Sequence, residues 1–517
     1  ERRAGEILRR LMPDALVALS SEVLPEFREY ERLSTTVINA YAGPRIARYL
    51  DGFARRMTAL GARLPPYVFH SNGGLMSVAT AMRFPVRTCV SGPAAGVIGA
   101  SAIGTAAGFP DLVTFDVGGT STDVSLVEAG RPAFTAEQMV AGYPVRVPMI
   151  DIQVIGAGGG SIAGLDDAGA LKVGPHSAGA DPGSAAYGRG GAAATITDAN
   201  LLLGRVNPAA LLGGRLPLDL AAARRALAER VANPLGLSLE QATLGILRIA
   251  TAGMARAIRS VSTRRGHDLR RFALFAYGGA GPLHAGDVAR ELGMPRVIVP
   301  TEPGTLCARG ILHSDLSFDL AQTRIMRAGP EAWAEIAAGF DEMARSGTEI
   351  LDRERVPEAD RHSIYGIDAR YEGQNFEVHV AFDGLMLAQD AAEFDRDFAG
   401  RFRAAHGAVY GYDIAGRAIE IVTLRLRMVG AVAKPGLAAP AAASTSGPAS
   451  VASRPVYFGH STGWVETPVY DRDRLSPGAE ITGPAIIEEM SATTLLHPAQ
   501  HASVDPAGNL IVSTPLP

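Results

Sequence analysis

The sequence predicts an α/β fold with a β-rich C-terminal segment, and three observations carry that reading. From about residue 67 onward, apolar strand-like runs alternate with glycine turns and helical stretches, the order expected of a sheet covered by helices. Three of those runs end in glycine turns, at residues 117–122 (VGGTST), 156–161 (GAGGGS) and 277–284 (YGGAGPLH). Past residue 331 the pattern turns to α+β, and past residue 454 to short strands parted by Gly and Pro.

Composition narrows the function classes. A chain of 517 residues is too long for one core, so about three domains are expected. It is 47% hydrophobic and 20% charged with a net charge of -4, which leaves no concentrated basic surface for nucleic acid. Its two cysteines, Cys89 and Cys307, cannot build a disulfide framework and fit a reducing cytoplasm, each best read as a small buried hydrophobe. The longest uncharged stretch, residues 88–110, has too much Gly, Ser and Pro for a lipid-facing helix. It reads as an Ala/Gly-rich helix packed on a sheet, and no membrane association is expected.

In chain order, residues 1–12 have helical spacing and lead to an expected strand at 15–20. A helix is expected from Pro44 to Gly61, with Ile46, Tyr49, Phe53, Met57 and Leu60 on one face. Ser91-Gly92-Pro93 would set backbone donors at the start of the Ala/Gly-rich helix, where a phosphate is favoured, though a plain helix start explains it equally.

The central stretch, residues 112–128, reads LVTFDVGGTSTDVSLVE. It is a hairpin with two acids, Asp116 and Asp123, flanking its tip. Paired glycines let successive N–H groups converge on one anion, and Thr120 and Thr122 add hydroxyls. Phosphate suits such a cradle, and Asp116 suits a hydrated Mg²⁺ beside it.

A strand is expected at 150–155, ending in the donor-rich turn that holds Gly158 and Gly159. Residues 171–191 read as a long polar loop lining a site, where His176 and Asp181 are either ligands or solvated side chains. Asp198 and Asn200 follow it. Ser238 and Gln241 form a capping box for a core helix striped by Leu244, Leu247, Thr251, Met254, Ile258 and Val261, with Arg264, Arg265 and Gly266 closing it. At 277–284, bare backbone at Gly278, Gly279 and Gly281 would let a flat base and ribose lie against the chain, although the spacing is not that of a dinucleotide fingerprint. Residues 434–453 read as a flexible Ala/Pro/Ser/Gly linker.

Strand-ending glycine turns, one flanked by aspartates, resemble the actin, sugar-kinase and heat-shock-chaperone superfamily with its ribonuclease H-like domains. More narrowly, the chain resembles the hydantoinase A and 5-oxoprolinase family, which includes acetone and acetophenone carboxylase subunits. The stretches that carry the resemblance are EYERLSTTVINAY, HSNGGLMS, CVSGPAAGVIGA, TFDVGGTSTDVSLV, IGAGGGSIA, SAGADPGSAAYGRGG, TDANLLLGR, AYGGAGPLHA and GPAIIEEMSATTLLHP. The family begins with an earlier phosphate loop that has no counterpart before Ala15, so the chain is expected to be N-terminally incomplete or completed by another polypeptide.

The resemblance implies ATP and Mg²⁺ as cofactors, a B-type partner subunit, an oligomeric assembly in the cytoplasm and no nucleic acid. It implies ATP-driven opening of a cyclic amide of the hydantoin or 5-oxoproline type by phosphorylation of the carbonyl oxygen. The alternatives are the ATP-using subunit of a ketone carboxylase, or a silent nucleotide-binding scaffold. By position, Asp116 and Asp123 are the implied catalytic acids. Gly118, Gly119, Thr120 and Thr122, joined by Gly158 and Gly159, bind phosphate, and Gly278, Gly279, Ala280 and Gly281 form the adenosine turn. Asp116, Asp181 and Asp198 are the metal candidates, with His284 a further site residue. The expected domains are a remainder of the first lobe (1–110), an actin-like ATPase lobe (111–330), an α+β domain (331–433), the linker, and a small β domain (454–517).

Overall fold

The computed structural model describes residues 1–209, 213–263, 266–382, 390–436 and 448–515. The fold is mixed α/β, in two compact units that each collect separated stretches: 1–94, 134–150 and 314–434 in one, and 95–133, 151–313 and 435–517 in the other. The contiguous division read from sequence does not follow these units, because strand pairing is indifferent to separation along the chain.

In the first unit a six-stranded sheet runs Tyr67–Phe69, Leu75–Ser77, Leu316–Arg327, Ile419–Gly430, Arg361–Tyr371, Val378–Phe382. Helices Trp333–Arg353 and Ala391–Tyr410 pack on it through Phe340, Phe394, Phe398 and Phe402, all buried. Asp390 caps the second helix by accepting from the Ala392 and Glu393 amides. Buried charges here are paired: Arg425 donates to Glu26 and Asp368, and Arg146 donates to Glu26 at 3.1 Å.

Two expectations fail in this unit. Residues 15–19 have no ladder partner and are not a strand; Leu16 instead packs against Gly43, where a Cβ would lie 2.6 Å from its side chain. The helix expected to start at Pro44 runs Glu29–Ala59 with Pro44 inside it. Proline removes one intrahelical bond, but burial of Thr35, Asn39, Gly43 and Leu50 holds the helix on both sides of the gap. Asn39 fixes it further, donating to Arg83 O and accepting from the Val86 amide. The face expected to be core is largely outward, with Tyr49, Phe53 and Leu60 exposed.

The second unit is built on a nine-stranded sheet. Its main path runs Gln153–Ile155, Thr122–Glu128, Leu112–Val117, Ala273–Tyr277, Arg296–Val299, Leu510–Ser513, His501–Val504, Glu480–Thr482. Leu112–Val117, Ala273–Tyr277 and Arg296–Val299 are parallel and nearly solidly apolar, as strands buried on both faces must be. The C-terminal strands are not a separate small domain: Leu510–Ser513 pairs antiparallel with Arg296–Val299 and extends the same sheet. A four-stranded sheet, Ala452–Tyr457, Trp464–Asp471, Ala485–Glu488 and Thr493–Leu496, completes that region.

The expected strand at 150–155 is two short ones, Met149–Ile150 and Gln153–Ile155, in different sheets. The expected loop begins as a strand, Leu171–Ser177, paired with Ser161–Leu165. The capping box forms as read, with the Gln241 amide donating to Ser238 and the Ser238 amide to Gln241 at the start of helix Leu239–Thr263. Arg264 and Arg265 lie outside the described residues, as does 437–447 of the expected linker. No described helix is long and apolar enough to cross a membrane.

Helix Ser91–Ala106 meets the short helix Leu306–Ile311 at backbone distance. A Cβ on Gly310 would lie 1.8 Å from the Ala95 carbonyl oxygen, and one on Gly99 would lie 3.0 Å from the Gly310 Cα. Backbone cannot yield as a flexible side chain can, so the pair must separate if a methyl is added. Gly310→Ala is expected to destabilise the protein by about 2 kcal/mol or more, read as a lowered thermal midpoint; an unchanged midpoint would contradict this packing.

Candidate functional site

Strands Leu112–Val117 and Thr122–Glu128 fold back on one another through a glycine bend at 118–121. Their register sets Asp116 directly opposite Asp123. Opposed residues in an antiparallel pair share a face with Cβ atoms about 5 Å apart, and like charges there repel. Burial and, after it, the Asp116 charge push Asp123 up to about 6, against the pull of a Ser121 hydrogen bond. Its Oδ1 is buried without a partner among the described residues. Burial also raises Asp116, whose Oδ2 accepts from the Cys307 thiol at 3.4 Å.

The tip is open where a ligand would need it to be. A Cβ on Gly118 or Gly119 would meet nothing within 4 Å, and Gly119 and Thr120 are exposed. Behind the tip the chain is close-packed. The second glycine turn lies against the bend, with the Gly159 amide donating to Gly118 O and the Gly160 amide to Gly119 O. A Cβ on Gly158 would lie 2.6 Å from the Thr120 nitrogen. Gly158 and Gly159 therefore buttress the bend from behind: the Gly158 amide donates to Ser161 Oγ, so neither amide faces a phosphate. Thr122 is likewise committed, buried with its hydroxyl donating to Ala157 O.

The turn after Ala273–Tyr277 closes over the acids. Gly278 has φ +77, and a Cβ there would lie 2.2 Å from Asp116 Oδ1, so two independent demands require glycine. The Ala280 amide donates to Val117 O, and Gly281 opens helix Gly281–Leu292 over Phe115 O. Gly279 is exposed at the rim. Structure thus gathers Asp116, Asp123, Gly118, Gly119, Thr120, Gly278, Ala280 and Gly281 around one bend.

Other candidates are placed elsewhere. Asp198 is buried and saturated, accepting from Ser184 Oγ, the Ala186 amide, and both the amide and hydroxyl of Thr195. It is a helix-capping residue with no lone pair left for an ion. Asp181 and His176 are exposed, and among the described residues no three His, Cys, Asp or Glu side chains gather as a metal cage. His284 is buried 3.3 Å from Asn200 Nδ2, and burial together with Arg205 drives its pKa down to about 4, so it is neutral.

Sequence reading missed Ser121, Cys307, Tyr277 and Gly96. A Cβ on Gly96 would lie 2.7 Å from the Tyr277 hydroxyl and 2.9 Å from Cys307 Sγ, so these residues form the floor beneath Asp116. Burial, then the Asp116 charge, push the Cys307 thiol up to about 12, which keeps it a proton donor. No local motif marks Cys307; only the fold brings residue 307 to residue 116.

Comparison with known proteins places the chain in a family. The hydantoinase/oxoprolinase pattern matches residues 32–320, and the hydantoinase/oxoprolinase C-terminal domain matches residues 327–509. The chain belongs to the hydantoinase/oxoprolinase family. Among family relatives, the caprolactamase subunit alpha of Pseudomonas jessenii is 37% identical over 98% of this chain and 73% of its own. The acetophenone carboxylase gamma subunit of Aromatoleum aromaticum is 31% identical, over 99% and 71% respectively. 5-Oxoprolinase 1 of Arabidopsis thaliana is 34% identical over 96% of this chain and 39% of its own. The crystal structure of the ATP-dependent caprolactamase from Pseudomonas jessenii superposes with a TM-score of 0.85, at 35% identity over 99% of this chain and 74% of that one.

The raised pKa of Asp123 makes a signed prediction. Its folded value of about 6 exceeds the roughly 3.9 of an unfolded chain, so ionising it is harder in the fold. The associated stability is fully present below about pH 4 and lost as pH rises through 6. Asp123→Asn is expected to raise the thermal midpoint at pH 7.5, by an equivalent of about 1–3 kcal/mol, and to leave it unchanged at pH 4. A variant less stable at pH 7.5 would contradict the assignment.

Proposed function

We propose that this chain is the ATP-using component of an enzyme that opens a cyclic amide of the hydantoin, 5-oxoproline or lactam type by phosphorylating the carbonyl oxygen. One observation carries the reading: two opposed, half-buried carboxylates, one with a buried unpartnered oxygen, beside an open glycine bend. The bend fits a phosphate chain and the acids fit a hard divalent cation. Family likeness supports the substrate class, since the relatives include an ATP-dependent caprolactamase and 5-oxoprolinases.

Asp116 and Asp123 would hold Mg²⁺ or its water, and the ion would supply charge neutralisation to the phosphates. The Gly119 and Thr120 amides and the Thr120 hydroxyl would cradle the phosphates. Gly278, Gly279, Ala280 and Gly281 would receive the nucleoside. Cys307 donates to Oδ2 of Asp116, and the other oxygen, Oδ1, lies beneath the Gly278 turn.

An amide nitrogen is a poor leaving group and its carbon a poor electrophile. When the amide oxygen takes the γ-phosphoryl group, the β–γ P–O bond breaks and its electron pair leaves with ADP. Water then adds to the activated carbon, and the C–N bond breaks with the pair and a proton going to nitrogen. A second water releases phosphate from the resulting acyl phosphate. Phosphoryl transfer of this kind depends mainly on positioning and charge compensation, which a rigid glycine bend between two acids provides. A B-type partner subunit and an oligomeric, cytoplasmic enzyme belong to the same proposal. The subunit designations of the caprolactamase and carboxylase relatives support the partner.

Gly119→Val tests the cradle cleanly, because a Cβ there would meet nothing within 4 Å and φ is not in the left-handed region. The variant is expected to fold with an unchanged thermal midpoint and to lose ATP binding by at least about tenfold in isothermal titration, as is Asp116→Ala. Normal affinity in a folded Gly119→Val would rule out this placement of the phosphates. ATP turnover measured with caprolactam, hydantoin, 5-oxoproline, acetone and acetophenone, with and without bicarbonate, is expected to respond to a cyclic amide without bicarbonate. A requirement for ketone plus bicarbonate would assign the carboxylase chemistry instead.

A further inference from the structure

The nucleoside side of the site is bordered by a segment that belongs to the C-terminal part of the chain, far in sequence from the glycine turns. The turn 489–492 joins strand Ala485–Glu488 to strand Thr493–Leu496, closed by the Glu489 amide donating to Ala492 O. It touches the candidate adenosine turn directly. A Cβ on Gly279 would lie 3.5 Å from the Ser491 carbonyl oxygen, and one on Gly304 would lie 2.6 Å from Ser491 Oγ.

The turn is fixed at both ends. The Glu302 backbone N–H donates to the Glu489 carboxylate, tying the turn to the loop that carries Gly304. On the other side Asn207 Nδ2 and the Arg454 guanidinium both donate to Glu488. Between these anchors Met490 stands 60% exposed, and its Cγ lies 3.7 Å from where a Gly213 Cβ would be. An anchored backbone that presents an exposed thioether and a carbonyl oxygen beside an exposed glycine turn is suited to a flat, partly apolar ring with a donor on its edge.

We propose that turn 489–492 is the base-recognition wall of the nucleotide site. In this arrangement the Met490 thioether packs on the face of a purine, and the Ser491 carbonyl oxygen accepts from the exocyclic 6-amino group. Thioethers pack favourably against aromatic rings, and a carbonyl acceptor favours a 6-amino over a 6-oxo purine because the oxo group brings a second acceptor to the same place. The inference rests on the reading of 118–121 as the phosphate cradle, and it adds that the C-terminal region chooses the base.

The test is isothermal titration of the full chain with ATP, with inosine triphosphate, which carries an oxo group at position 6, and with inorganic tripolyphosphate, each with Mg²⁺. The unmodified chain is expected to bind ATP about tenfold more tightly than inosine triphosphate. Met490→Ala and Met490→Asp, both at an exposed position, are expected to weaken ATP about fivefold to tenfold while leaving tripolyphosphate unchanged. Equal affinities for ATP and inosine triphosphate, ATP binding within twofold of normal in both Met490 variants, or an equal loss of tripolyphosphate would each overturn the assignment. If the unmodified chain bound none of the three ligands, the phosphate cradle itself would fall. That result is distinct from a chain that holds tripolyphosphate but ignores the base.

Discussion

Two carboxylates face one another across an antiparallel hairpin, Asp116 opposite Asp123, and this enforced closeness of like charges is the requirement that the surrounding chain meets. Left in water, such a pair would splay or recruit ions. Here neighbours hold it in place: the Cys307 thiol binds one side of Asp116, Ser121 binds Asp123, and the next turn packs so closely that a Cβ on Gly278 would lie 2.2 Å from Asp116 Oδ1. One oxygen remains buried and unpartnered. On the proposed reading, that cost keeps a place for positive charge.

Glycine supplies the closeness everywhere around this pair, in two different ways. At Gly158, Gly278 and Gly310 a side chain would collide with backbone or with the acid itself, so glycine there allows packing. At Gly118 and Gly119 a side chain would meet nothing, so packing within the protein does not explain the residue. That contrast separates the buttress from the proposed cradle. The sheet beneath is similarly economical: two parallel strands, Leu112–Val117 and Ala273–Tyr277, end in glycine turns, and the C-terminal strands continue the same sheet through Leu510–Ser513.

Much of the second unit was legible from local signals. The Asp-flanked hairpin, the strand-ending turn at 277–284 and the Ser238/Gln241 box each need only a few consecutive residues to declare themselves, and the family stretches are spread along nearly the whole chain. What failed depended on distant partners. Residues 15–19 look like a strand but have none beside them, and Pro44 sits within a helix that packing on both sides sustains. Asp198 looked like a ligand because an acid after a glycine-rich loop has no visible partner in sequence; in the fold four donors surround it. No local signal placed Cys307 at the site, and Ser491 lies in a family stretch that says nothing of its neighbours, since each reaches the glycine turns only through tertiary approach. The same cause explains the domain boundaries, which follow strand pairing between residues near 75, 316 and 430 and not the composition of successive segments.

Amide hydrogen exchange at the bend is the most direct measurement of whether the acid pair and its glycine tip grip a nucleotide. Addition of ATP and Mg²⁺ is expected to slow exchange of the amides of Gly119 and Thr120, both exposed residues at the tip, while leaving the Gly159 and Gly160 amides, already bonded to the bend, unchanged. Protection confined to other segments, with the 118–121 amides exchanging as fast as before, would contradict it.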